Sequence, residues 1–231
     1  METPSAAIRS TGSNQDGRTP GITQPNRDAQ EVLINETYAK AGLDMQTTRY
    51  VEAHGTGTAI GDPIEASAIG LAFRKYPSAE EPMYIGAMKS NIGHLEGASG
   101  VAGVIKAILI LETGVIPPNV NIEHLNPDID ADYLRLKFPV HSTPWPCRGL
   151  RRASISSFGF GGSNSHAIND DAYSYLRLSN LAGNHWTVRG PPTLEYLEQG
   201  PEPSKLLSLS GNLSQQPVNG EGEAMRPRLL I

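Results

Sequence analysis

Two histidines, a lysine and a run of glycines are placed where this chain could do chemistry. His54 stands in Glu52-Ala53-His54-Gly55-Thr56-Gly57-Thr58, where alternating glycines and hydroxyls let backbone and side-chain oxygens approach a ligand closely. Lys89 and His94 share a second segment, Lys89-Ser90-Asn91-Ile92-Gly93-His94-Leu95-Glu96-Gly97. A neutral imidazole can donate one hydrogen bond, and a nearby ammonium group tunes its basicity. The third segment is Ser157-Phe158-Gly159-Phe160-Gly161-Gly162-Ser163-Asn164, a glycine turn whose backbone N–H groups could face a developing oxyanion. Each has a plainer reading: a hydrogen-bonded turn, a solvated lysine, a hairpin. A zinc site is weakly supported, because His54 and His94 lie forty residues apart without a third ligand at metal-like spacing. The glycine turn lacks the lysine and the strand-to-helix context of a phosphate loop.

These segments need elements to hold them. Apolar residues Ala29, Val32, Leu33, Tyr38 and Ala41 fall at helical spacing from Asn26 to Ala41, with Gly42 as the stop. Arg49 to Ala53 reads as a strand running into His54. Asp62-Pro63-Ile64-Glu65 then reads as a helix start, with Asp62 the cap, Pro63 in the first turn and Glu65 the capping-box glutamate. Met83 to Ala87 predicts a second strand, Met88 to Glu96 a loop, and Gly97 to Thr113 a helix rich in small residues. Strand, loop and helix thus occur twice, the α/β pattern in which sites gather at the carboxyl ends of strands. Tyr133 to Phe138, Arg152 to Ser157 and Ser165 to Ile168 are further strand candidates, and Asp171 to Leu178 is helical. The opening Ala6-Ala7-Ile8-Arg9 starts as though mid-strand, followed by a loop from Ser10 to Pro20. From Ala182 onward glycine, proline and polar residues replace apolar anchors, which predicts a linker or tail.

Composition narrows the partners. Nineteen basic against 24 acidic residues give a net charge of -5, without the basic stripe that nucleic acid demands. The longest apolar stretch, Val101 to Leu111, contains Lys106 and is too short for a bilayer core of ~30 Å, so no membrane partner is expected. One cysteine, Cys147, and no signal-like segment after Met1 fit a reducing, cytoplasmic setting.

Taken in order, Asn14-Gln15-Asp16-Gly17, Glu52 to Thr58, Gly61-Asp62-Pro63-Ile64-Glu65, Lys89 to His94 and Phe158 to Asn164 resemble the β-ketoacyl synthase family of fatty-acid and polyketide synthases. The likeness runs from about Ile8 to Leu178. Its flavour, through Asp170 to Arg177, is that of fungal highly reducing type I polyketide synthases. The resemblance implies an α/β thiolase-like fold, here the C-terminal half of an α-β-α-β-α layered core. Residues 1–178 would be a partial ketosynthase, and 179–231 a largely disordered linker toward an absent acyltransferase domain.

In that family an acyl chain rests on a cysteine, a malonyl unit on an acyl carrier protein loses CO2, and the carbanion attacks the acyl thioester. The resemblance assigns His54 and His94 as donors to the thioester oxygen and Lys89 as the lysine that orients the second histidine. It gives Thr56, Thr58 and Asn91 to the phosphopantetheine arm, the only cofactor-like group implied, and Phe160 with Gly161 to an oxyanion and gate position. The family's Asp-Thr-Ala-Cys-Ser-Ser nucleophile motif does not occur in this sequence, and Cys147, in Trp145-Pro146-Cys147-Arg148, does not replace it. Three readings follow: a truncated ketosynthase, a non-catalytic protein binding carrier protein or a ketosynthase partner, with a homodimer as the alternative, and a residual malonyl decarboxylase.

Overall fold

The computed structural model describes residues 3–78 and 80–189. In chain order the elements are β1 (Ala6–Gln15), α1 (Arg27–Ala41), β2 (Thr48–Glu52), α2 (Gly61–Phe73), β3 (Met83–Gly86), α3 (Lys89–Ile92), α4 (Ser99–Thr113), β4 (Val115–Ile116), α5 (Ala131–Leu134), β5 (Leu136–Lys137), β6 (Thr143–Pro144), β7 (Arg152–Phe158), β8 (Ser163–Asp171) and α6 (Ala172–Leu178). Six strands form one sheet in the order β1-β8-β7-β2-β3-β5, and β4 pairs with β6 apart from it. The central strands β7, β2 and β3 are parallel, with β5 continuing that direction, while β8 runs antiparallel between β7 and β1.

Both faces of the sheet are covered, which is why the central strands are apolar at consecutive positions rather than alternating. Val51 of β2 and Ile85 of β3 pack with Ile34 and Tyr38 of α1 and Ile69 and Phe73 of α2. On the opposite face Tyr50, Tyr84 and Ile155 pack with Ala107, Ile110 and Leu111 of α4 and with Trp145. Burying side chains of this size stabilises by about 1.5–3 kcal/mol each. The outer side of α4 carries Val101, Ile105 and Leu109 exposed, one residue per turn. No helix among the described residues is long and apolar enough to cross a membrane.

Helix α1 follows its sequence signals: Asn26 accepts from the amides of Asp28 and Ala29, and Gly42 closes the other end in the left-handed region. Four expectations change. Ser10 to Gln15 is not loop but the continuation of β1, paired residue by residue with β8; as an edge strand it keeps one long side in solvent and tolerates polar residues. Helix α2 begins at Gly61 after Ile60, which makes no side-chain cap, so Asp62 and Glu65 lie inside the helix and their carboxylates turn elsewhere. The loop after β3 is half helical, as α3. Tyr133 to Phe138 is split between α5 and the two-residue β5.

The described part of the tail is docked. Val188 donates its amide to the Glu112 carbonyl at 2.7 Å, and Arg151 donates to the carbonyls of Leu111, Glu112 and Val188. The rest of the expected linker, 190–231, lies outside the described residues.

Candidate active site

Three parallel strands deliver three groups to one edge of the sheet. His54 follows the carboxyl end of β2, Lys89 that of β3, and Phe158 ends β7. The His54 and His94 rings stand 5.6 Å apart and nearly perpendicular, and the Phe158 ring lies 5.5 Å from His54 on another side.

The loop after β2 is held by the two carboxylates that look like capping residues in the sequence. Glu65 accepts from the amides of His54 at 2.7 Å and Gly55 at 2.9 Å, and Asp62 accepts from Gly57 and Thr58. Gly55 is required twice over: its φ is 47°, and a Cβ there would stand 2.5 Å from the Ala87 side chain. Burial pushes the Glu65 carboxyl up to about 7 against the pull of its two amide donors.

Each imidazole has one nitrogen committed as an acceptor. His54 Nδ1 receives the Phe158 amide at 3.3 Å and faces the Lys89 ammonium at 3.4 Å; the same ammonium donates to the His54 carbonyl. His94 Nδ1 receives the Glu96 amide at 2.9 Å and the Ser99 hydroxyl at 3.0 Å. Glu96 takes a left-handed φ of 49° to aim that amide. With both Nδ1 atoms accepting, both rings carry their proton on Nε2 and present it outward as a donor. Burial, followed by the charges of Lys89 and His94, pushes His54 down to about 3, so it is neutral near pH 7. Burial also lowers Lys89, offset by Glu65, Glu52 and Asp62.

The expected site residues fall into two groups. His54, His94 and Lys89 come together, but Lys89 serves the first histidine, whereas the resemblance gives it to the second; His94 is fixed instead by Ser99 and Glu96. Thr56 and Thr58 stand beside them, their hydroxyls 3.3 Å apart, with Thr58 also accepting from the Gly61 amide. Asn91 lies on α3, accepting from the Ser90 hydroxyl. Phe160, 83% exposed, tips the turn between β7 and β8, next to Gly161 at φ 97°; the aromatic ring against His54 is that of Phe158.

Sequence reasoning missed Ser99, which it took for a small packing residue. It also missed Glu52, which accepts from the Met88 amide at 2.7 Å and from the Tyr50 hydroxyl. A charged residue in a strand buried on both faces is the signal that marks Glu52.

Comparison with known proteins identifies the family. A family model described as "Beta-ketoacyl synthase, C-terminal domain" matches residues 5–123. Highly reducing polyketide synthase 40 of Fusarium mangiferae is 58% identical over 187 residues, 81% of this chain and 8% of its own length. The highly reducing polyketide synthase NEC1 of Pyricularia oryzae is 59% identical over 186 residues, 80% of this chain and 7% of its own. Among solved structures, an oxazolomycin ketosynthase domain of Streptomyces albus superposes with a TM-score of 0.68 at 39% identity, covering 73% of this chain and 30% of that one. The ketosynthase from module 6 of the Bacillus subtilis bacillaene synthase gives a TM-score of 0.68 at 36% identity, over 72% and 31%. The chain therefore spans under a tenth of these curated relatives and about a third of these ketosynthase structures.

Proposed function

The chain belongs to the β-ketoacyl synthase family, whose C-terminal domain it carries, and from that premise we propose that it supplies the enolate-stabilising half of a decarboxylative condensation site. The substrate is a malonyl thioester on the phosphopantetheine arm of an acyl carrier protein. The observation that carries this reading is the pair of imidazoles whose Nδ1 atoms are both occupied by donors, leaving two Nε2–H groups with no partner among the described residues.

When the bond to the malonyl carboxylate breaks, CO2 leaves and its electron pair passes into the enolate, whose charge gathers on the thioester oxygen. Two preorganised neutral donors at that oxygen act chiefly in the transition state, where the charge is largest. His54 stays neutral at working pH, so its donor is present without proton uptake. Thr56 and Thr58 sit on the same loop as His54 and are suited to hydrogen-bond the amides of the pantetheine arm.

The thiolate that holds the acyl chain in the family is not among the described residues. Cys147 packs against the cluster of Tyr50, Ile116 and Trp145 and belongs to the core of the α4 face. Condensation therefore takes its acyl acceptor from a residue outside this sequence, and the residues here account for decarboxylation and carrier binding. We assign that unit to residues 1–178, with 179–231 as the linker.

The test is CO2 release from malonyl-carrier protein by the purified chain. His94→Ala is expected to lower the rate by about 10²–10³, the usual cost of one such donor. Equal rates for wild type and variant, or a wild-type rate no faster than carrier alone, would overturn the reading.

A further inference from the structure

A buried ion pair lies behind the loop that carries Lys89. Lys106 of α4 and Glu52 of β2 approach to 2.9 Å with 5% and 1% of their side chains exposed. Lys106 has no other hydrogen-bonding partner among the described residues. Gly103, one turn before Lys106, lies directly against the carboxylate side chain: a Cβ there would be in van der Waals contact with Glu52 Cγ at 3.4 Å.

Three carboxylates surround Lys89, and they differ in what neutralises them. Glu65 is occupied by the amides of His54 and Gly55, and Asp62 by those of Gly57 and Thr58. Glu52 accepts from Met88, the residue next to Lys89, and from Tyr50, and its charge is balanced by Lys106. Without Lys106 the carboxylate would be buried and unpaired, a costly state that is relieved by protonation or by pairing with another cation. Lys89 lies close enough to feel the Glu52 charge, which raises its pKa against the effect of burial.

We propose that Lys106 is a positioning residue: by neutralising Glu52 it leaves the Lys89 ammonium on His54, where that ammonium and the Phe158 amide fix the proton on Nε2. The role rests on the reading of His54 as a donor, but it is visible in the ligand-free chain and does not need turnover.

The experiment is ¹⁵N NMR of the histidine rings in the full chain, with His54→Asn assigning the His54 signals, followed from pH 4 to 8. Wild type should show a single Nε2–H tautomer. In Lys106→Met, His54 should lose that signature, giving mixed tautomers and a titration midpoint shifted upward, because its cationic neighbour has moved toward Glu52. Adding Glu52→Gln should restore the wild-type pattern, and Lys106→Arg should keep it. Lys106→Met that melts earlier with unchanged His54 signals would overturn the proposal and leave the pair a packing feature. Should Lys106→Met fail to fold, E52Q/K106M decides: wild-type His54 signals support the assignment, and mixed tautomers refute it. If the NMR result holds while CO2 release fails, the functional reading falls and the positioning role stands.

Discussion

Lys89 and His54 meet across the ends of two adjacent parallel strands, the ammonium donating to the His54 carbonyl and lying 3.4 Å from Nδ1. One side chain thus fixes both the backbone and the tautomer of the first histidine. Among the described residues the second histidine has no cation beside it and depends on a hydroxyl and an amide.

Removing the ammonium tests the first half of that arrangement. In Lys89→Met the repulsion that helps hold His54 down near 3 is gone, while burial remains. The His54 titration is expected to move up, part of the way toward 6.5, in a ring-proton or ¹⁵N titration. A midpoint that stays where it was would show that Lys89 does not act on this ring.

For His94 the corresponding change is Ser99→Ala, which removes one of the two donors on Nδ1. A hydrogen bond of this kind contributes about 1 kcal/mol, so the CO2-release rate should fall roughly threefold to tenfold. The change should appear in kcat with KM unaltered, because Ser99 acts through the His94 ring. A rise in KM alone would contradict it.

Stability should depend on pH with opposing contributions. His54 and the fully buried His166 both have folded values near 3, below the ordinary 6.5. Unfolding lets each take up a proton below pH 6.5, so the stability they permit is full above that value and lost as pH falls toward 3. Glu65 is raised to about 7, so the folded state holds an extra proton between 4.5 and 7 and loses stability as pH rises through that window. Denaturant midpoints are expected to fall from pH 6.5 to pH 4.5, and more steeply in Glu65→Gln. A variant profile shallower than wild type would reverse the sign assigned to Glu65.

Arg151 makes a different prediction, away from the site. Its guanidinium joins the last carbonyls of α4 to Val188, and Val188 returns its amide to Glu112. In Arg151→Ala, hydrogen exchange at the Val188 amide should accelerate more than at Leu111 in the helix. Equal acceleration at both would mean that the whole fold, not the docked segment, has loosened.

Where the sequence signals were local, they matched the structure: Asn26 and Gly42 bound α1, and Asp171 caps α6 by accepting from the Ser174 amide. Asp62 and Glu65 show the limit. A carboxylate three residues beyond an aspartate reads as a capping box, yet the loop at His54 offers four unpaired amides, and these took both side chains. The polar half of β1 was illegible for another reason, since only its pairing with β8, from the far end of the domain, makes it a strand. The candidate histidines, the lysine and the threonine loop were legible by type. The donors on each Nδ1 were not, because Phe158 contributes a backbone amide and Ser99 a hydroxyl from a helix that reads as packing.

The pairing of Ala6 with Asp171 and Gln15 with Ser163 sets an order of events during synthesis. Translation completes β1 well before β8, so the strand waits unpaired while the residues between them are made. Contacts between such distant residues are slow to form. Until β8 emerges, the polar edge of β1 is what keeps that waiting strand from pairing with a neighbour, and the sequence that looked like a loop is then a safeguard of nascent-chain solubility.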